Sequence, residues 1–97
     1  MSVKWIKIIT DIFDDEKIKI IDTYPARDSI IVIWFKLLVL AGKSNNNGLL
    51  LMGNNIPYDI DMLAAIFNRD YKEVEYALTL FKKFNMIEMF DHILAVT

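Results

Sequence analysis

Between Tyr58 and Val96 the chain strings together local signals whose order leaves few folds open. Pro57 lies just ahead of a helix that Tyr58 or Asp59 begins, with Ile60, Leu63, Ala64 and Phe67 along one side. Asn68-Arg69-Asp70 reads as a tight turn. Asp70 and Glu73 have the spacing of a D-x-x-E capping box, so a second helix is expected from Tyr71 to Phe84, burying Val74, Ala77, Leu78 and Phe81. Asn85 suits a left-handed helix terminus, and Ile87 to Phe90 and Ile93 to Val96 flank Asp91-His92 as a hairpin. Helix, turn, helix and hairpin in succession predict a winged helix (winged helix-turn-helix) domain, mainly α with a small antiparallel β-sheet. The second helix of such a unit can lie in a DNA major groove while the hairpin reaches a neighbouring groove or the backbone. The same unit can instead hold protein chains together.

Upstream the signals are less uniform. Val3 to Ile9 mixes β-branched and aromatic residues with lysines, which suits a short strand or an extended arm. Asp14-Asp15-Glu16 places acids where a helix start favours negative charge, and that helix is expected to run to about Thr23, ahead of Pro25. Asp28 or Ser29 can cap the next helix. It carries Ile30, Ile33, Trp34, Leu37, Leu38 and Ala41 at the spacing of a buried stripe, while Ile31, Val32, Phe35, Val39 and Leu40 make its other faces apolar too. A helix greasy on all sides is central to the fold or lies against another subunit. Gly42 is expected to end it, before a polar loop through Gly48. Leu49 to Met52 then reads as a short buried strand, the third of the hairpin's sheet.

The chain has 97 residues, 55% of them hydrophobic, which fits one domain with a single core and excludes disorder. With no cysteine, disulfides, thiolate chemistry and cysteine-ligated zinc are ruled out. The apolar run from Ile30 to Ala41 is too short to span a hydrocarbon layer of ~30 Å. No cleavable secretory signal opens the sequence, so a cytoplasmic location is expected. A formal charge of −2 is the wrong sign for a domain whose main work is non-specific phosphate binding. Any DNA contact is expected to be local.

Chemistry is sparse. One histidine and the serines at positions 2, 29 and 44 supply no nucleophile, base and oxyanion set, so no enzyme, cofactor or metal site is expected. Asp14-Asp15-Glu16 diverge by about 100° per residue on a helix and are better explained as a helix start than as a cation site. Asp59 and Asp61 have the same account. Gly42, Gly48 and Gly53 are scattered at turns and form no phosphate loop. Removing the core face of the second helix leaves Lys72, Glu73, Glu75, Tyr76, Thr79, Lys82 and Lys83 outward. Of these, Lys72, Glu75, Tyr76 and Thr79 could meet base edges, Glu75 by accepting from a cytosine amino group. Arg69, Lys72, Lys82 and Lys83 are candidates for phosphate, with His92 at the hairpin tip as a further contact or a plain solvent-exposed turn residue. For each of these positions a solvated surface is the competing account. Val3, Trp5, Ile6 and Ile8 on the arm, with Phe35 and Val39 on the central helix, form a candidate oligomer interface. Packing within the same chain is the alternative for Trp5, and helical spacing alone accounts for Trp34 and Phe35.

Several strings resemble the N-terminal domain of phage replisome organizers, relatives of the DnaD-type primosomal proteins. They are Trp5-Ile6-Lys7-Ile8, Asp11-Ile12-Phe13-Asp14-Asp15-Glu16-Lys17-Ile18, Ile33-Trp34-Phe35-Lys36-Leu37-Leu38, Ala41-Gly42-Lys43, Asn46-Asn47-Gly48, Ile56-Pro57-Tyr58, Met62-Leu63-Ala64 and Phe84-Asn85-Met86-Ile87-Glu88. They cover nearly the whole chain and consist mostly of core and turn residues. The resemblance implies a non-enzymatic winged-helix module that self-associates and helps assemble a replisome at a phage or prophage origin. Its implied partners are further copies of the chain, origin DNA, and helicase or helicase-loader proteins, with no membrane. In DnaD-type relatives the N-terminal domain is chiefly an oligomerisation scaffold, and a helical C-terminal region follows, so residues 1–97 are expected to be the N-terminal part of a longer organizer. A sequence-specific winged-helix regulator of replication or transcription is the alternative.

Overall fold

The computed structural model describes residues 5–44, 48–90 and 93–96, with the side chains of Asn54 and Phe90 left aside. The candidate residues Val3 and His92 lie outside them, as do Asn45–Asn47 and Asp91. Helix α1 spans Glu16–Ile21, α2 Arg27–Ser44, α3 Ile60–Phe67 and α4 Tyr71–Lys83. Strands β1 (Leu51–Met52) and β2 (Ile56–Pro57) pair antiparallel, as do β3 (Ile87–Phe90) and β4 (Ile93–Val96). The fold is mainly helical with two small antiparallel sheets, and its element order is compatible with a winged helix.

The helix-turn-helix forms as the sequence predicts. Asp59 is extended and its carboxylate accepts the Met62 N–H at 2.8 Å, capping α3. Asn68 takes φ +56 and ends that helix, the backbone Arg69 N–H donating to the Ala64 carbonyl. Leu63, Ala64 and Phe67 of α3 and Val74, Ala77, Leu78, Leu80 and Phe81 of α4 are buried, and Asn85 (φ +58) turns the chain into β3. Leu80 was absent from the expected stripe, and burying it widens the core face of α4.

The capping box does not form. Asp70 is extended at the head of α4 but its side chain makes no capping bond, and the Glu73 carboxylate is engaged by Arg69. The start of α1 also differs. Ile12–Asp14 make a 3-10 turn, and Asp15 is the cap, its carboxylate accepting from Lys17 N–H (2.9 Å) and Ile18 N–H (3.2 Å). Asp14 therefore stands outside the helix, and α1 stops at Ile21 rather than Thr23. Helix α2 begins at Arg27, before the expected caps Asp28 and Ser29, since Ala26 (φ +61) already presents its carbonyl to Ile30 N–H. It also runs through Gly42 to Ser44, whose hydroxyl donates to the Leu40 and Leu51 carbonyls. Trp5 to Ile9 form neither strand nor helix, so the expected short strand is absent from these residues.

The third strand is partly as expected. Leu49 bridges Ala95, the Leu50 N–H donates to the Leu94 carbonyl, and the Val96 N–H donates to the Gly48 carbonyl. The next two residues leave the hairpin and pair with β2 instead, so of the Leu49–Met52 run only Leu50 is fully buried. Gly48 adopts φ +86 at this seam, and a Cβ there would lie 2.6 Å from the Val96 carbonyl oxygen. The core gathers Ile18 and Ile21 of α1, Ile30, Ile33, Trp34 and Leu37 of α2, the buried faces of α3 and α4, and Leu50, Met86, Ile87 and Leu94. At its centre the Trp34 and Phe81 rings sit 5.1 Å apart, tilted by 58°.

Candidate nucleic-acid and assembly surfaces

On α4 the core stripe fixes what faces outward. Lys72, Tyr76, Thr79, Lys82 and Lys83 are exposed and Glu75 is half-buried. Lys72, Tyr76, Thr79 and Lys83 follow at intervals of four, three and four residues and make one ridge, with Glu75 and Lys82 beside it. The Thr79 hydroxyl donates to the Glu75 carbonyl at 2.9 Å and is thus partly turned into its own helix. Lys83 is steadied by aromatic rings. Its ammonium lies 5.6 Å from the Phe84 ring centre and 6.0 Å from that of Tyr24, within 3.4 Å of the Tyr24 hydroxyl. Tyr24 and Phe84 themselves meet edge-on at 6.1 Å.

Arg69, a phosphate candidate, and Glu73 both engage other residues of the chain. Arg69 donates to the Ser29 hydroxyl and, at 3.1 Å, to Glu73 Oε1, so its guanidinium ties the turn to the start of α2. Hydrogen bonding from Ser29, then from Arg69, holds the Glu73 carboxyl below its usual range. Glu73 is thereby held by Arg69, while three lysines and Glu75 make up the remaining charge of the outward face. Local spacing could not show either tie, since Ser29 precedes Arg69 by forty positions and Tyr24 precedes Lys83 by fifty-nine.

A second surface is apolar. Val32, Phe35, Val39 and Leu40 of α2 and Ile66 and Phe67 of α3 line an open groove of about 510 Å3, with Lys36 and Lys43 also in its lining. The structure brings Phe35 and Val39 together here. Ile66, at 52% exposure, was missed from sequence because it stands off the α3 core stripe, and that displacement was the signal. Trp5 and Ile8 lie on the N-terminal arm, outside the groove lining, with Trp5 77% exposed and Ile6 half-buried.

The described residues contain no cluster of histidine, cysteine or carboxylate side chains that could hold a metal ion, and no helix long and apolar enough to cross a membrane. The sequence matches the N-terminal phage replisome organiser family over residues 5–97. The chain belongs to that family. Membership ties this replisome organiser domain to phage DNA replication and to replication machinery as its setting. No curated protein and no solved structure matched it.

Proposed function

We propose that this chain is a non-enzymatic initiation module that self-associates and positions origin DNA and helicase-loading proteins. The family match across essentially the whole chain carries this reading. Two surfaces support it: the lysine-bearing ridge of α4, suited to phosphate contacts, and the uncovered groove between α2 and α3, suited to a protein. The net charge of −2 limits DNA binding to local contacts and leaves room for a scaffold role.

Light scattering over a concentration series tests assembly, and a strict monomer at high concentration overturns that part. Fluorescence anisotropy with origin DNA tests the ridge. Changing Lys72 or Lys82 to Gln is expected to weaken binding and to reduce the slope of log affinity against log salt by about one each. Lys83→Gln is expected to do less, because its ammonium already contacts Tyr24 and Phe84. The exposed Tyr76 and Thr79 beside Lys72 favour a second reading, a sequence-specific DNA reader. A tighter grip on origin DNA than on a scrambled duplex, lost in Tyr76→Ala, would support it.

A further inference from the structure

We propose that the α2–α3 groove receives the N-terminal segment, residues 5–14, of a second copy of this chain. The inference deepens the self-association reading and rests on it. Trp5, Ile8, Ile9 and Phe13 of that segment are all exposed, Phe13 at 61%, an unusual density of large side chains left in water. The groove offers the matching surface: Val32, Phe35, Val39 and Ile66 around an apolar floor.

Charge complements the pairing. Lys36 and Lys43 are the charged residues of the groove lining, one two-turn interval apart on α2. The segment carries Lys7 but ends in Asp11 and Asp14. Asp11 makes no capping bond to the 3-10 turn it precedes, and Asp14 meets Lys19 only at 3.9 Å with both side chains largely in solvent. Both carboxylates are therefore open to lysines of another molecule.

Position favours exchange between copies. The base of the segment is seated by Ile12, which shares a small pocket with Ile18, Trp34 and Met86. Trp34 points to the core side of α2, whereas Val32, Lys36, Val39 and Lys43 lie about half a turn round the helix at roughly 100° per residue. The base of the arm and the groove thus lie on opposite sides of α2. A two-fold pair in which each arm enters the other's groove closes on itself and covers both apolar surfaces of both chains.

The test uses the full chain in sedimentation and light scattering, with circular dichroism to confirm folding. One variant breaks the arm (Trp5→Ala with Ile8→Asp) and another the groove (Val39→Asp with Ile66→Asp). Each alone is expected to raise the dimer dissociation constant about tenfold or more. Mixed one to one, they are expected to regain a heterodimer through the one intact arm and the one intact groove. Should the groove variant lose its fold, Lys36→Glu with Lys43→Glu replaces it, and Asp11→Lys with Asp14→Lys in the second chain is expected to restore pairing. A wild-type dimer that survives both lesions overturns the docking while leaving self-association intact. So does a mixture that stays monomeric. A wild-type chain that is monomeric throughout overturns both.

Discussion

Both long sides of α2 carry large apolar residues, the outer one with Lys36 and Lys43 among them, and their fates are opposite. On one side Ile30, Ile33 and Leu37 are sealed completely and Trp34 nearly so, against α1, α4 and β4. On the other, Val32 and Val39 remain exposed and Phe35 half-covered beside Ile66. Hydrophobicity decides that a residue gains by leaving water, and the other elements of the chain decide whether anything comes to cover it. The inner side builds the core, and the outer side is the one on which the proposed assembly rests.

The largest expected effect contrasts those sides directly. Phe81 packs on Trp34 and is fully buried, so Phe81→Ala should lose roughly 3–5 kcal/mol of stability through a cavity at the centre of the core. Val39→Ala should lose under about 1 kcal/mol in the isolated chain. Urea unfolding measures both, and equal losses would break the contrast. A smaller effect concerns what keeps the inner side covered. Strand β4 is held to the Gly48–Leu50 stretch by the Val96-to-Gly48 and Leu50-to-Leu94 bonds. Gly48→Ala places a Cβ against the Val96 carbonyl at a left-handed backbone, and should lose roughly 2–3 kcal/mol in the same unfolding experiment. A neutral result would mean that the seam adjusts without strain and that the cover is looser than its hydrogen bonds suggest.

Much of this division was legible from residue order alone. The α3 and α4 stripes, the Asn68 and Asn85 terminators and the hairpin register follow from period and turn chemistry, which act within a few residues. What local reading missed depends on distant partners. Asp70 and Glu73 satisfy the capping pattern, yet Arg69 and Ser29 compete for the glutamate and win. Gly42 carries a stop signal, yet the helix continues to Ser44, whose hydroxyl donates to the Leu40 carbonyl one turn back and to the Leu51 carbonyl seven residues on. At the candidate surfaces the lysines of α4 were readable as an outward face. The commitment of Arg69 and Lys83 to intramolecular partners was not, and neither was the contribution of Ile66 to the groove.

The smallest expected effect sharpens the comparison at the edge where the two sides of α2 meet the helix-turn-helix. Ser29 at the start of α2, Arg69 in the turn and Glu73 on α4 form one hydrogen-bonded set, and the carboxylate is the member that titrates. Its folded pKa lies below the ordinary 4.5, chiefly through Ser29 and then Arg69, so the native state favours the ionised form more than the unfolded chain does. That preference adds stability above about the unfolded value and is lost as pH falls through 4.5 toward the lower folded pKa. Glu73→Gln removes the titration. The melting temperature of wild type should therefore drop more steeply than that of the variant as pH is lowered below 4.5, while above it the wild type stays modestly ahead. With Glu73 about one-third exposed, solvent screening keeps the difference small. Parallel curves for the two proteins across that range would show that the turn is held to α2 by packing alone, and that Arg69 is free to leave Glu73 for a phosphate.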